Sequence, residues 1–181
     1  MNWILIWLIL LSAFALFIFL RYLIPPIVTY KLNDPYAMKP YKHKKAACYD
    51  LYAVEDVTIP SNQWREVRTA VIFAPWPHIY FKYLRPWSIT PLGNIAYKIH
   101  TRSGMAIRKG VRVHLGIIDN DYRNECNPIV FNHNQSYPVR IHRGDRVAQV
   151  EFYRVGSPIF VKVNKLSNSS RSIKGHGSSG K

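Results

Sequence analysis

Five groups of residues in this chain have the types and spacing to handle phosphate. Arg102-Ser103-Gly104 offers a cation, a hydroxyl and a backbone that a ligand can approach closely. Gln149, in the word Gly144–Gln149 (GDRVAQ), adds a neutral donor. Arg171, with Gly175, Gly177, Ser178, Ser179 and Gly180 behind it, has the composition of a flexible clamp for terminal phosphates. Asp119 closes the apolar stretch Leu115–Ile118, so a strand can present its carboxylate in a cleft beside bound phosphate. There it could take a proton from water attacking phosphorus. Asp50 stands in a fifth group, Ala46–Ala53 (AACYDLYA). Taken singly, RSG is an ordinary turn, the C-terminal end is a disordered tail, and Asp119 is a turn carboxylate opening Asp-Asn-Asp.

The charge balance agrees with phosphate chemistry. Lys and Arg number 25 against 10 Asp and Glu, a net charge of +15, which calls for a polyanionic partner: nucleic acid, an anionic membrane face or a polyphosphate. With 48% apolar and 19% charged residues, the 181-residue chain is neither disordered nor collagen-like, and its length suits one domain with a small appendage. Cys48 and Cys126 are too few for a disulfide framework or a cysteine-rich zinc site.

The elements that must hold these groups are strands. Val67, Thr69, Val71 and Phe73 alternate with Arg68, Ala70 and Ile72; Val111, Val113 and Leu115 alternate with Arg112 and His114; Val147–Val155 is a third such run. Turn words separate them at Pro60-Ser61-Asn62, Pro91-Leu92-Gly93-Asn94, Asn132-His133-Asn134 and Arg143-Gly144-Asp145. No helical periodicity is evident beyond residue 30. The pattern predicts an all-β sandwich or jelly roll.

In front stands Trp3–Leu20, eighteen residues without a charge. The run predicts a transmembrane anchor over residues 1–24, since about 20 apolar residues cross a bilayer as a helix. A cleaved signal peptide fits less well, because no Lys or Arg precedes the run and it exceeds the usual apolar core of about 7–15 residues. Arg21, Lys31, Lys39, Lys42, Lys44 and Lys45 follow it, and the positive-inside rule then puts the rest of the chain in the cytoplasm. Pro25 and Pro26 stop the helix, and residues 25–45 read as a basic linker, either touching anionic headgroups or solvated.

The words AACYDLYA, Arg102–Ala106 (RSGMA), Gly116–Glu125 (GIIDNDYRNE), GDRVAQ and Arg171–Lys181 (RSIKGHGSSGK), in that order, closely resemble the five motifs of the trimeric dUTPases, the dUTP pyrophosphatases. The resemblance implies a jelly-roll domain over 46–166 and a nucleotide-clamping arm over 167–181. It implies a homotrimer whose arm crosses to a neighbour. The implied reaction is hydrolysis of dUTP to dUMP and pyrophosphate with Mg²⁺, lowering dUTP and supplying dUMP for dTTP synthesis. By the same resemblance Asp119 is the base, and Tyr122 packs under the deoxyribose, leaving no room for a 2′-hydroxyl. Main-chain groups from Val113 to Ile118 read uracil, His176 takes the place of a Phe over the base, and Asp50 lies near the metal and phosphates, acting through water. Arg102, Ser103, Gly104, Gln149, Arg171, Gly177, Ser178 and Ser179 complete the implied substrate site. Asn124 departs from the usual Gly, a position where Asn tolerates left-handed backbone. The stretch from Pro75 to Thr101, rich in aromatics, exceeds the family norm and reads either as an extended hairpin or as a surface for bilayer or partner. A dCTP deaminase, which shares the fold, would carry a Glu near Ile129, where the chain reads Pro128-Ile129-Val130-Phe131. The remaining alternative is a catalytically silent tethered protein that binds nucleotide or nucleic acid. No specific nucleic-acid partner is expected.

Overall fold

The computed structural model describes residues 3–23, 27–75, 94–156, 158–165 and 167. Among the described residues one helix, α1 (Trp3–Leu23), precedes eleven strands: β1 (Val28–Leu32), β2 (Tyr49–Tyr52), β3 (Val57–Ile59), β4 (Trp64–Glu66), β5 (Val71–Pro75), β6 (Asn94–His100), then, after the short helix α2 (Ser103–Lys109), β7 (Val111–Val113), β8 (Gly116–Ile118), β9 (Ile129–Asn132), β10 (Val139–Ile141) and β11 (Arg146–Val155). All pairings are antiparallel: β2-β11-β6-β8, β4-β9-β7, β1-β5 and β3-β10. This is the all-β architecture that the alternation predicts.

The core fills from inward positions of these strands and from Val67, just past β4: Leu51, Ile59, Val67, Tyr97, Val130, Ile141, Val147 and Val150 are completely buried. Burying each such side chain is worth about 1.5–3 kcal/mol against exposure. Phe73, Tyr97 and Phe152 meet with ring centroids 5.1–5.4 Å apart and bind β5, β6 and β11 together. The alternation read over 67–73 holds in burial except at Ala70, which is buried with its neighbours, and it fails in pairing. The strand starts only at Val71, because Ala70 sits at φ +54°, outside the β region.

Two further departures concern α2 and the linker. The seven-residue α2 has no counterpart in the sequence pattern, since it spans only two turns, too few for helical periodicity to register. It ends at Gly110, where a Cβ would be strained at φ +62° and would press on the Asn134 side chain. The stretch 25–45, expected as a linker, contributes β1, which pairs with β5 from Val28↔Pro75 to Leu32↔Val71.

The apolar run does form one continuous helix, α1, of 21 residues. Among the described residues, however, no helix is long and apolar enough to cross a membrane. The transmembrane expectation for residues 1–24 therefore gains no support from the structure.

Candidate active site

Strand β11 lies between β2 and β6, so Gln149 is in register with Asp50 on one side and His100 on the other. Three words far apart in sequence thereby become neighbours. Arg102, two residues past β6, donates from Nε to Asp50 Oδ1 at 2.7 Å, and Arg146 donates from Nη1 to Asp50 Oδ2 at 3.3 Å. Arg102 Nη1 also reaches the Arg146 carbonyl at 3.3 Å, and Gln149 Nε2 donates to the Thr101 carbonyl at 3.2 Å. One half-buried carboxylate thus orients two guanidiniums, leaving a net positive charge. Ser103 is exposed beside them, and space is open where a Gly104 Cβ would lie. The cluster can hold a phosphate chain by charge-assisted hydrogen bonds. Arg146 is a candidate phosphate-binding residue that sequence reasoning misses; its signal is its place beside Asp145 in GDRVAQ.

A groove of about 760 Å³ opens beside Asp50, walled by Tyr41, Lys42, His43, Lys44, Tyr49 and Tyr52. The backbone of Tyr41 bridges to Asp50, so the basic segment is fixed against the phosphate cluster.

The Asp119 carboxylate lies on the opposite edge of the same sheet. β8 pairs with β6 through Tyr97↔Ile118, and the chain turns at once, the Tyr122 N–H donating to the Asp119 carbonyl at 3.2 Å. Asp119 and Asp121 are exposed, and so is Tyr122, 40% accessible. Arg123 Nη1 clamps the turn through the carbonyls of Asn120 at 2.6 Å and Tyr122 at 2.8 Å. Asn124 is not left-handed: among the described non-glycine residues only Asn62 and Ala70 have positive φ. Instead its side chain accepts the Glu125 N–H at 2.8 Å, replacing backbone freedom with a local hydrogen bond. In the hairpin before the turn, Val113 gives its N–H to the Thr101 hydroxyl at 2.8 Å, and Ile118 is half-buried in its pairing with Tyr97.

Register sets the separation of the two parts. Asp50 and Asp119 are three strand spacings apart, about 14 Å, and about four residues apart along the strands, about 13 Å, hence roughly 20 Å apart. A single chain does not bring the phosphate cluster and the Asp119 carboxylate to one point. A second groove, of about 670 Å³ and lined mainly by apolar side chains, runs past Trp64, Leu115, Ile129 and Phe131.

Among the described residues no three His, Cys, Asp or Glu side chains form a metal-binding group. Arg171, His176, Gly177, Ser178 and Ser179 lie outside the described residues, as does most of the aromatic stretch, 76–93.

A sequence model of the dUTPase family matches residues 34–180. The chain is 34% identical over 153 residues to the deoxyuridine 5′-triphosphate nucleotidohydrolase of Corynebacterium efficiens, covering 83% of this chain and 76% of that protein. It is 35% identical over 136 residues to the enzyme of the same name from Saccharomyces cerevisiae, covering 75% and 81%. In fold it is similar to the dUTPase of Staphylococcus bacteriophage 80alpha with dUPNHPP, at a TM-score of 0.71 and 21% identity over 85% of this chain and 98% of that one.

Proposed function

The chain belongs to the dUTPase family, and from that premise we infer how its own residues carry out the reaction. It hydrolyses dUTP to dUMP and pyrophosphate. Arg102, Arg146, Ser103 and Gln149 hold the triphosphate, with Asp50 aiming both guanidiniums. Asp119 takes a proton from the water that attacks the α-phosphorus, and pyrophosphate leaves with the electron pair of the broken P–O bond. Tyr122 lies under the deoxyribose, main-chain groups between Val113 and Ile118 read the base, and the segment carrying Arg171, His176, Gly177, Ser178 and Ser179 closes over the nucleotide.

The donor set fits Mg²⁺ only as an ion carried by the nucleotide. Asp50 is the carboxylate of the phosphate cluster, and it is already engaged by two guanidiniums, which suits a water-mediated contact rather than an all-protein cage. When bound, the ion neutralises charge on the phosphate oxygens.

The roughly 20 Å between Asp50 and Asp119, set by strand spacing and rise, is the observation that carries the assembly. One triphosphate cannot reach both in the same chain, so the site is assembled between subunits of a homotrimer. The exposed side chains of Trp64, Leu115 and Ile129 supply apolar surface for such contacts. As part of the same reading, the N-terminal run attaches the protein to a membrane with the β domain on the cytoplasmic side. Its support is the uncharged sequence Trp3–Leu20, the basic residues behind it and the exposed apolar side chains of α1.

Pyrophosphate release from dUTP, with dCTP, dTTP and UTP as controls and with and without a chelator, tests the reaction. Preference for dUTP is expected, and equal turnover of UTP would refute the sugar assignment. Alkaline extraction and protease protection on sealed vesicles test the membrane reading, which fails if the protein is released or the domain is lumenal.

A further inference from the structure

Glu125 sits at the exit of the turn that carries Asp119 and Tyr122, and it is tied to residues far away in sequence. Its Oε2 accepts from Arg68 Nε at 2.9 Å and its Oε1 from Arg68 Nη2 at 2.9 Å, a two-pronged fork. Asn33 Nδ2 donates to the same Oε1 at 2.9 Å, and Arg68 Nη1 reaches past the fork to Asp34 Oδ2 at 2.8 Å. The Glu125 and Asp34 side chains are only 11% and 18% accessible. The neighbouring chain is stitched to the same place. Cys126 N–H donates to the Val71 carbonyl at 2.7 Å, Thr69 Oγ1 to the Cys126 carbonyl at 2.8 Å, and Asn33 N–H to the Ala70 carbonyl at 2.8 Å.

The turn needs this clasp, because the groups beneath it do not fix it. Tyr97 Oη, on the strand paired with β8, and Asn120 Oδ1, within the turn, are both buried without a hydrogen-bond partner among the described residues. The turn's internal bonds among the described residues are all local: Tyr122 N–H to the Asp119 carbonyl, the Arg123 clamp, Glu125 N–H to Asn124 Oδ1, and a long contact of 3.5 Å from Tyr122 Oη to the Glu125 carbonyl. At Glu125 it acquires a charged, bidentate contact with the barrel.

We propose that Glu125 is a positioning residue for the catalytic turn, and that Arg68, Asn33 and Asp34 set the turn's height against the substrate. The proposal rests on the assignment of Asp119 and Tyr122 above. It makes the segment following β1 a structural part of the active site, although no phosphate-handling word lies there. It also predicts a division of labour. The phosphate grip stands on β2, β6 and β11 and does not depend on the fork, whereas proton abstraction and exclusion of a 2′-hydroxyl both do.

The test uses the full-length protein with Glu125→Gln, which keeps the shape and removes the charge, and Arg68→Lys, which keeps the charge and removes the fork. In both, kcat for dUTP is expected to fall by roughly 10- to 100-fold, since misplacement by about 1 Å costs up to that much. KM should move far less, and the preference for dUTP over UTP should fall by about tenfold. A merely structural role would lower the melting temperature and leave that preference alone. Folded Glu125→Gln with parental kcat and preference overturns the proposal. If that variant does not assemble, Asp34→Asn, which leaves the fork intact, must show a smaller loss in the same direction, and parental behaviour there overturns it equally. Asp119→Asn is run in parallel. If it retains parental turnover, the base assignment fails; if it is inactive while Glu125→Gln is parental, only the positioning role fails.

Discussion

Replacing Asp119 by Asn tests the proposed base directly, because the backbone of this residue closes the turn while its carboxylate stands free of that task. The hydrogen bond that closes the turn uses the Asp119 carbonyl, not its carboxylate, and the preceding residue is locked to Tyr97 by strand pairing. The carboxylate itself is exposed. Asn therefore keeps the turn, and stability should stay within about 0.5 kcal/mol, as for surface changes generally. What disappears is proton acceptance from water. General-base assistance is worth about 10²–10⁴ in rate, or about 3–5 kcal/mol of barrier. Affinity for a non-hydrolysable dUTP analogue should change little, since Arg102, Arg146 and Gln149, not Asp119, hold the phosphates in the proposed site; losing one negative charge near a polyanion should tighten it slightly if anything. Single-turnover hydrolysis and analogue affinity are the measurements, with Asp121→Asn as the control two residues on. If Asp119→Asn turns over within a few-fold of the parent while Asp121→Asn is inactive, the base has been placed two residues too early. If both remain active, this turn supplies no base at all.

Acid should unfasten the clasp. Hydrogen bonds from Arg68, then Asn33, hold the Glu125 carboxyl down to about 2 from an ordinary 4.5, against the opposing effect of its burial. A lowered value means that its stabilisation is complete above about pH 4.5 and is lost as pH falls through about 2. Denaturant unfolding across that window should show Arg68→Gln flattening the acid-sensitive part of the stability curve, an effect that solvent screening at Arg68 keeps modest; curves parallel to the parent's would refute it. Truncation at Ser170 should spare folding and trimer formation yet sharply reduce kcat, and unchanged turnover would deny the C-terminal segment its role. Deleting residues 1–26 should leave an active enzyme. Cutting through residue 30 splits β1, and cutting through residue 34 also removes Asn33 and Asp34, so stability and kcat should fall together in that order.

The chemistry of this protein is legible in its sequence because each motif is a short word whose residue types act locally. Asp119 at the end of an apolar strand, RSG after another and the alternation of Val147–Val155 can all be read directly, and β8, α2 and β11 carry them in the fold. Strand alternation is a two-residue repeat, visible within five or six positions. It does not say which strand lies beside which. That Asp50 faces Arg102 and Arg146 depends on β11 entering between β2 and β6, a choice made by packing across about a hundred residues of chain. The same holds for Glu125, an ordinary acid after Asn124 until the fold sets Arg68 and Asp34 around it. The seven-residue α2 and the break at Ala70 are shorter than any periodicity that could announce them. The distance between Asp50 and Asp119 is decided only by strand order and register. Side-chain chemistry is written residue by residue, but strand register is settled only when the whole core closes.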